Sequence, residues 1–238
     1  MSSRPPEPAR AFKKSVFREY LESIVVAVIL ALFIRTFAVQ AFKIPTGSME
    51  PNLLIGDHLL VNKLVYSPSF GPLESTLFGK RPIERGHVVV FKFPEDPTRD
   101  FIKRVIGLPG ETLEIRNKQV FVDGKAVEQP YAHFIEAPLR PDDPEYSNSG
   151  DGLRDSWGPQ TVPAGQLLVL GDNRDNSRDS RFWGFLPVDQ VKGRALLVYW
   201  SYEATREEYH RTGVVEWVRD TLSAFGRTRW KRFFHVIR

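Results

Sequence analysis

With 238 residues, 42% hydrophobic and 26% charged, the chain is long enough for one sizeable domain with appendages, and its composition is ordinary for a protein that folds. The lack of cysteine excludes disulfides, a thiolate nucleophile and cysteine-ligated zinc, leaving hydroxyl, amine, carboxylate and imidazole chemistry. A formal net charge of +4 suits an anionic membrane surface and nucleic acid equally, so charge selects no partner.

The first predicted element is LESIVVAVILALFIRTFAVQAF, Leu21 to Phe42, where 17 of 22 residues are apolar. Its unbroken run, Ile24 to Ile34, falls short of the about 20 residues that span a hydrocarbon layer. A spanning helix over residues 20–42 must therefore include the Thr36–Phe42 side, with Arg35 snorkelling or facing protein. Two alternatives stand beside it: a buried helix of a soluble core, and a cleaved leader whose small-residue site is Val39-Gln40-Ala41. In the basic tail of residues 1–19, Arg4, Arg10, Lys13, Lys14 and Arg18 outweigh Glu7 and Glu19, which by the positive-inside rule predicts a cytoplasmic N-terminus. Everything after residue 42 then lies outside.

From residue 43 to 202 the pattern changes to short apolar runs between turn residues. DHLLVNKLVY, GHVVVFKF, DFIKRVIGL, ETLEIRNKQVFVDGKAV, AGQLLVLGD and RALLVYWSY read as strands by alternation or β-branched content. Val122-Asp123-Gly124-Lys125 carries the Asp-Gly signal of a tight hairpin. Ser67–Arg85 and Pro138–Gly158 read as long surface loops. The prediction is a mostly β domain behind one N-terminal membrane helix, closed by a basic, aromatic tail over residues 203–238. In that tail Val214, Trp217, Val218 and Phe225 fall near one helical face. RTRWKRFFHVIR mixes aromatics with basic residues, which suits an anionic lipid surface, a helix packed on the protein or a disordered basic end.

Ser48, in TGSME, lacks the small-residue elbow of the α/β-hydrolases and needs a base, because a hydroxyl is a poor nucleophile at its own pKa. His58 and His87 each open a predicted strand and read better as structural groups than as partners of a triad. Lys103, in DFIKRVIGLPGE, shares a strand face with Phe101 and Val105, and burial there lowers an amine toward neutrality. Arg104, on the opposite face, is expected to escape that desolvation. Most strand lysines, by contrast, extend to water and stay charged. In GDNRDNSRDSRFWGFLP, residues 171–187, alternating Asp and Arg can neutralise each other in a partly buried loop and hydroxyls such as Ser177 can hold an amine; a calcium loop fails, since Ser180 and Leu186 stand where it needs Gly and Glu.

Together, IPTGSMEPNLLIGD, RDFIKRVIGLPGE and GDNRDNSRDSRFWGFLP, with RGHVVVF between the first two, resemble the bacterial type I signal peptidases, membrane-bound endopeptidases that use a Ser/Lys dyad. The resemblance runs from about Arg35 to Tyr202. It implies a β domain of coiled antiparallel sheets, with Ser48 as nucleophile and Lys103 as general base. It further implies that Thr46 and the Ser48 N–H form the oxyanion hole, that Ser177 orients the lysine, that Asp179 and Arg181 form a structural ion pair, and that Ile44 and Ile102 line the pockets for small side chains. The implied substrates are signal-peptide-bearing preproteins, cut after small residues at Ala-X-Ala sites; the implied setting is the bacterial inner membrane, crossed once, with the catalytic domain on the periplasmic side. No nucleic acid, metal or cofactor is implied. Threonine stands at 46 where the family often has serine, and a single span replaces the two of some members. A self-cleaving Ser/Lys regulator lacks such an anchor, and a tethered β module that only binds gives no reason for Ser48, Lys103 and the polar loop together.

Overall fold

The computed structural model describes residues 16–64, 66, 82–136, 152–204 and 226–237. The chain divides into two units, Met1–Ala38 and Val39–Arg238.

The first unit is helix α1, Val16–Phe37. Its opening turns mix charged and apolar residues, with Arg18 paired to Glu22 one turn on at 2.9 Å. From there its surface is apolar, and Ile24, Val26, Ile29 and Phe33 are all exposed. Among the described residues no helix is long and apolar enough to cross a membrane. The helix also ends sooner than the sequence suggests. Val39–Lys43 is not helical but forms strand β1, paired antiparallel with β2 (Asp57–Asn62) from Val39 opposite Asn62 to Lys43 opposite His58. β-branched Val39 and aromatic Phe42 favour the extended form, and Phe42 packs on the core while the ladder satisfies the backbone. The Val39–Ala41 stretch that reads as a cleavage site lies inside this ladder.

The second unit holds two antiparallel sheets. The larger runs β1–β2–β11–β3–β4–β9–β10, with β12 also on β11; here β3 is Val88–Phe93, β4 Asp96–Gly107, β9 Gln166–Leu170, β10 Leu186–Pro187, β11 Val191–Ser201 and β12 His235–Val236. The smaller runs β7–β6–β5–β8, from Lys125–Ala126, Gln119–Val122, Thr112–Arg116 and Trp157–Thr161. Its two hairpin turns have both central residues at positive φ, Asn117 and Lys118 in one, Asp123 and Gly124 in the other, the backbone that matches strand twist. The sequence marks the second of these turns by its Asp-Gly pair but not the first, where a lysine takes the left-handed position. Two short helices, α2 (Gly152–Asp155) and α3 (Ser180–Trp183), complete the unit. The predicted loop Pro138–Gly158 therefore ends early, at α2 and β8; residues 67–81 and 137–151 lie outside the described residues.

Three buried clusters form the core. The first, with Ile44, Met49, Leu53, Leu59, Val88, Val90, Ile102 and Val198, lies under β1, β2, β3 and β11. The second joins Ile106 and Leu168 to the small sheet through Leu113, Val120 and Trp157. The third gathers Val89, Phe91, Val105, Leu167 and Leu186. β4 contributes to all three, because its residues from Ile102 to Gly107 are buried on both faces.

The end of the tail belongs to this unit. The Arg229 N–H donates to Ser201 O at 2.8 Å, β12 pairs with Leu197 and Val198, and Ile237 enters the first cluster. Of the three readings of RTRWKRFFHVIR, packing on the protein describes Arg229, Arg232 and Ile237, while Trp230, Phe234 and Val236 remain exposed. The helical face at Val214, Trp217, Val218 and Phe225 lies outside the described residues. Arg232 grips Asp57 with two bonds, of 3.1 and 2.6 Å, and Asp57 is fully buried at the start of β2. Removing one partner of such a pair leaves an uncompensated charge in the interior. Arg232→Ala is expected to destabilise the second unit by about 3 kcal/mol, seen as a lower denaturation midpoint of the detergent-solubilised chain, while Lys231→Ala leaves the midpoint within error.

Candidate active site

Gly47–Met49 forms a single 3-10 turn between β1 and β2. Three restraints hold it: the Glu50 N–H bonds Gly47 O at 3.1 Å, the Leu53 N–H bonds Met49 O at 2.9 Å, and the Met49 side chain is fully buried in the first cluster. Burying a methionine contributes about 2 kcal/mol, so a residue of no chemical reactivity pins the serine beside it. Ser48 itself is buried. Thr46, just before the turn, is extended and half-buried, and its hydroxyl makes no capping bond.

On β4, 55 residues away in the chain, Lys103 extends its amine to this turn: Nζ lies 2.6 Å from Ser48 Oγ and 2.9 Å from Ile102 O. The ring of Phe101, on the same strand face, lies 5.5 Å from the amine. Lys103 is only 3% exposed. Burial draws its pKa down from 10.5 to about 8; Asp179 and Asp172 pull the other way, and Arg181 adds to the fall.

The carboxylates that oppose the shift are both matched by guanidinium groups. Asp172 takes Arg104 through two bonds of 2.8 and 2.6 Å, and Asp179 takes Arg181 through two of 2.8 and 2.9 Å. All four residues are nearly or fully buried. Burial works to raise the Asp179 carboxyl, but the Arg181 charge, with hydrogen bonds from Arg181 and the Gly171 N–H, leaves it below the usual carboxylate range. Neutralised in this way, the two aspartates restrain the amine less than free carboxylates would.

The structure brings Ser48, Lys103 and the loop at 171–181 together, and it pairs Asp179 with Arg181. Ile44 and Ile102 sit in the first core cluster beside Met49. Ser177 is buried on the same loop, but it makes no hydrogen bond to Lys103; its Oγ faces the Asp179 carboxylate, whose charged form it favours, and abuts Gly171. Two amine bonds already go to Ser48 and Ile102. The expectation for Arg104 is corrected. It is as buried as Lys103, because the second face of β4 is covered by Tyr131, whose ring lies 4.1 Å from the guanidinium, and by Asp172. An arginine inside the apolar run FIKRVIGL, with an aspartate in the polar loop, was the available signal. His58 stays a structural group, surrounded by Tyr199, Trp200 and Tyr202, with a pKa lowered to about 4 by burial and the Lys43 charge. His87 bonds Tyr66. Sequence reasoning missed Asn52, which bonds Asp172 and Tyr131 O, and Asn173, which bonds the serine turn; neither residue carries a pattern that announces it.

A family model described as signal peptidase, peptidase S26, matches residues 17–200. A signal peptidase I of Leptolyngbya laminosa is 38% identical over 205 residues, covering 82% of this chain and 87% of its own. One of Pseudomonas fluorescens is 31% identical over 236 residues, covering 86% and 81%. The crystal structure of a signal peptidase I from Enterococcus faecalis, 31% identical, covers 48% of this chain and 97% of its own with a TM-score of 0.36.

The buried amine has a consequence for stability. Below pH 8 Lys103 is protonated in both the folded and the unfolded chain, and the burial penalty is carried in full. Between pH 8 and 10.5 only the unfolded chain binds the proton, so folding gains as pH rises through this window. With about 1.4 kcal/mol per tenfold change in acidity, the penalty is about 3 kcal/mol. Lys103→Met is expected to raise the denaturation midpoint at pH 7, with the gain shrinking toward pH 10; a gain that does not vary with pH would contradict a lowered lysine.

Proposed function

The chain belongs to the signal peptidase family of S26 peptidases, and we propose on that premise that it is a membrane-anchored signal peptidase I that removes signal peptides from exported preproteins through a Ser48/Lys103 dyad. The observation that carries the reading is the 2.6 Å contact between Lys103 Nζ and Ser48 Oγ, both buried. A neutral amine presents a lone pair that accepts the serine proton as Oγ attacks the scissile carbonyl. The same amine, now an ammonium, gives that proton to the leaving amine, and an acyl-enzyme remains on Ser48. Water then attacks the ester with Lys103 again taking its proton, and Ser48 leaves with a hydrogen restored. The Thr46 hydroxyl and the Ser48 N–H stabilise the oxyanion in both tetrahedral states, and the Ile102 carbonyl, 2.9 Å from Nζ, orients the amine.

The sheet order supports the way a substrate enters. β4 pairs with β9 only from Arg104 onward, so Phe101–Lys103 has one edge that no described strand takes. An extended preprotein adds there and beside Ile44–Thr46, and backbone bonds give affinity while shallow pockets at Ile44 and Ile102 admit only small side chains. The exposed apolar surface of α1 meets lipid, and the charge asymmetry of the sequence supports a bacterial inner-membrane setting with the basic residues before residue 20 on the cytoplasmic side and the catalytic residues on the periplasmic side. A nucleophile eleven residues after the end of that helix suits substrates held in the same bilayer by their own signal segments.

With purified precursor in detergent, wild type is expected to release a new N-terminus directly after a small residue, mapped by mass spectrometry, and Ser48→Ala and Lys103→Ala to release none. Equal cutting by all three would end the dyad reading. Because the working base is the unprotonated amine, kcat is expected to rise with pH through about 8 and to level off above it; a flat profile from pH 5 to 9 would exclude the neutral lysine.

A further inference from the structure

An oxyanion hole built on the Ser48 N–H depends on where that N–H points, and a peptide N–H turns only with its own peptide plane. In a trans peptide it lies opposite the preceding carbonyl, so whatever holds Gly47 O aims the Ser48 donor. Gly47 O accepts from Asn173 Nδ2 at 3.2 Å as well as from the Glu50 N–H inside the turn. The next carbonyl, Ser48 O, accepts the Asn173 backbone N–H at 3.1 Å. One residue, 126 positions from Gly47, thus grips two successive carbonyls of the nucleophile turn.

Asn173 is itself immobilised. It is 3% exposed and forms a parallel bridge with His133, through the His133 N–H to Asp172 O at 2.7 Å and the Arg174 N–H to His133 O at 2.9 Å. The acceptor decides the orientation of its amide, since an oxygen turned toward Gly47 O would set two acceptors against each other. That choice leaves Asn173 Oδ1 buried with no partner among the described residues. Buried polar atoms of native proteins are generally satisfied, so a side chain present only to fill space would not carry this one. Gly171 permits the approach, because a Cβ there would stand 2.5 Å from Ser48 O.

We infer that Asn173 is a positioning residue of the oxyanion hole, acting through the Gly47–Ser48 peptide to aim the Ser48 N–H at the reacting carbonyl. The inference rests on the signal peptidase reading above. Without the side-chain donor, Gly47 O keeps only the Glu50 turn bond, and the N–H loses part of its fixed aim in the transition state rather than in substrate binding.

The test compares full-length wild type, Ser48→Ala, Asn173→Ala and Asn173→Asp in detergent, the last nearly isosteric but presenting an acceptor to Gly47 O. For both Asn173 variants kcat is expected to fall about 10- to 100-fold while KM stays within about threefold. Affinity for a substrate-like peptide aldehyde, which forms an oxyanion-bearing adduct on Ser48, falls in parallel; the pH midpoint of kcat stays in place in Asn173→Ala, which adds no charge, and rises in Asn173→Asp, whose carboxylate favours the ammonium form of Lys103. A kcat within threefold of wild type, unchanged aldehyde affinity, or a displaced pH midpoint in Asn173→Ala would each overturn the inference. The wild-type enzyme gives a reading that needs no variant to fold: the Asn173 side-chain amide resonances are expected to shift on aldehyde binding, and their failure to shift counts against the proposal. Should Ser48→Ala cleave like wild type, the dyad reading itself fails; an active wild type, a silent Ser48→Ala and an unimpaired Asn173 variant remove this inference alone.

Discussion

An amine that gives up its proton near neutral pH has to be kept from water, and nearly every feature around Lys103 serves that exclusion. A strand buried on both faces supplies the place, since a side chain leaving it meets core rather than solvent. Burial by itself penalises the charged form, but two aspartates close to the amine would favour that form if they stood alone. Arg104 and Arg181 match them, and the desolvation of the lysine outweighs what remains. The low pKa is therefore a product of burial, and the arginine partners limit how far the loop's aspartates oppose it.

Such a loop is expensive to bury, and its partners come from many parts of the unit. Lys118 reaches from the hairpin between β5 and β6 to Asp175 at 2.6 Å, and Arg154 on α2 bonds Asp155 and Glu136. Arg181 also donates to the carbonyls of Arg154 and Arg174, both at 2.7 Å. The small sheet, which contributes nothing to the proposed chemistry directly, thus holds the loop that touches Ser48. Removing one member of a buried network of this kind leaves its partner unsatisfied, so the network acts as a unit.

The proposed chemistry collects where regular structure stops. β1 ends at Lys43, and the serine turn follows before β2 begins; β4 has an edge that no described strand takes just before β9 joins it. An extended substrate would pair with backbone there without displacing a strand, and the proposed reacting groups sit beside that edge on elements the core holds rigid. The tail strengthens the same region, since Arg232 bonds Asn52 O and Asp57 on the segment that returns from the turn.

Much of this was legible in the sequence. Alternation in DHLLVN and the apolar run in GHVVVF place strands, and Asp123-Gly124 marks a hairpin, because a two-residue period and a left-handed turn are local properties. Ser48, Lys103 and the polar loop announce their chemistry by residue type, and family likeness joins them. The end of α1 was not legible: Thr36–Phe42 is apolar enough for helix or strand, and pairing with β2 decides for strand at Val39. Nor was the burial of Arg104, since alternation sorts a strand's faces but does not say that Tyr131 and Asp172 cover the second one. The sequence alone determined which groups are available and which local shapes they prefer. Only the tertiary structure decided that Lys103 Nζ lies 2.6 Å from Ser48 Oγ and that Asn173 holds Gly47 O, because contacts across 55 and 126 residues depend on how the sheets fold over one core, which no local pattern encodes.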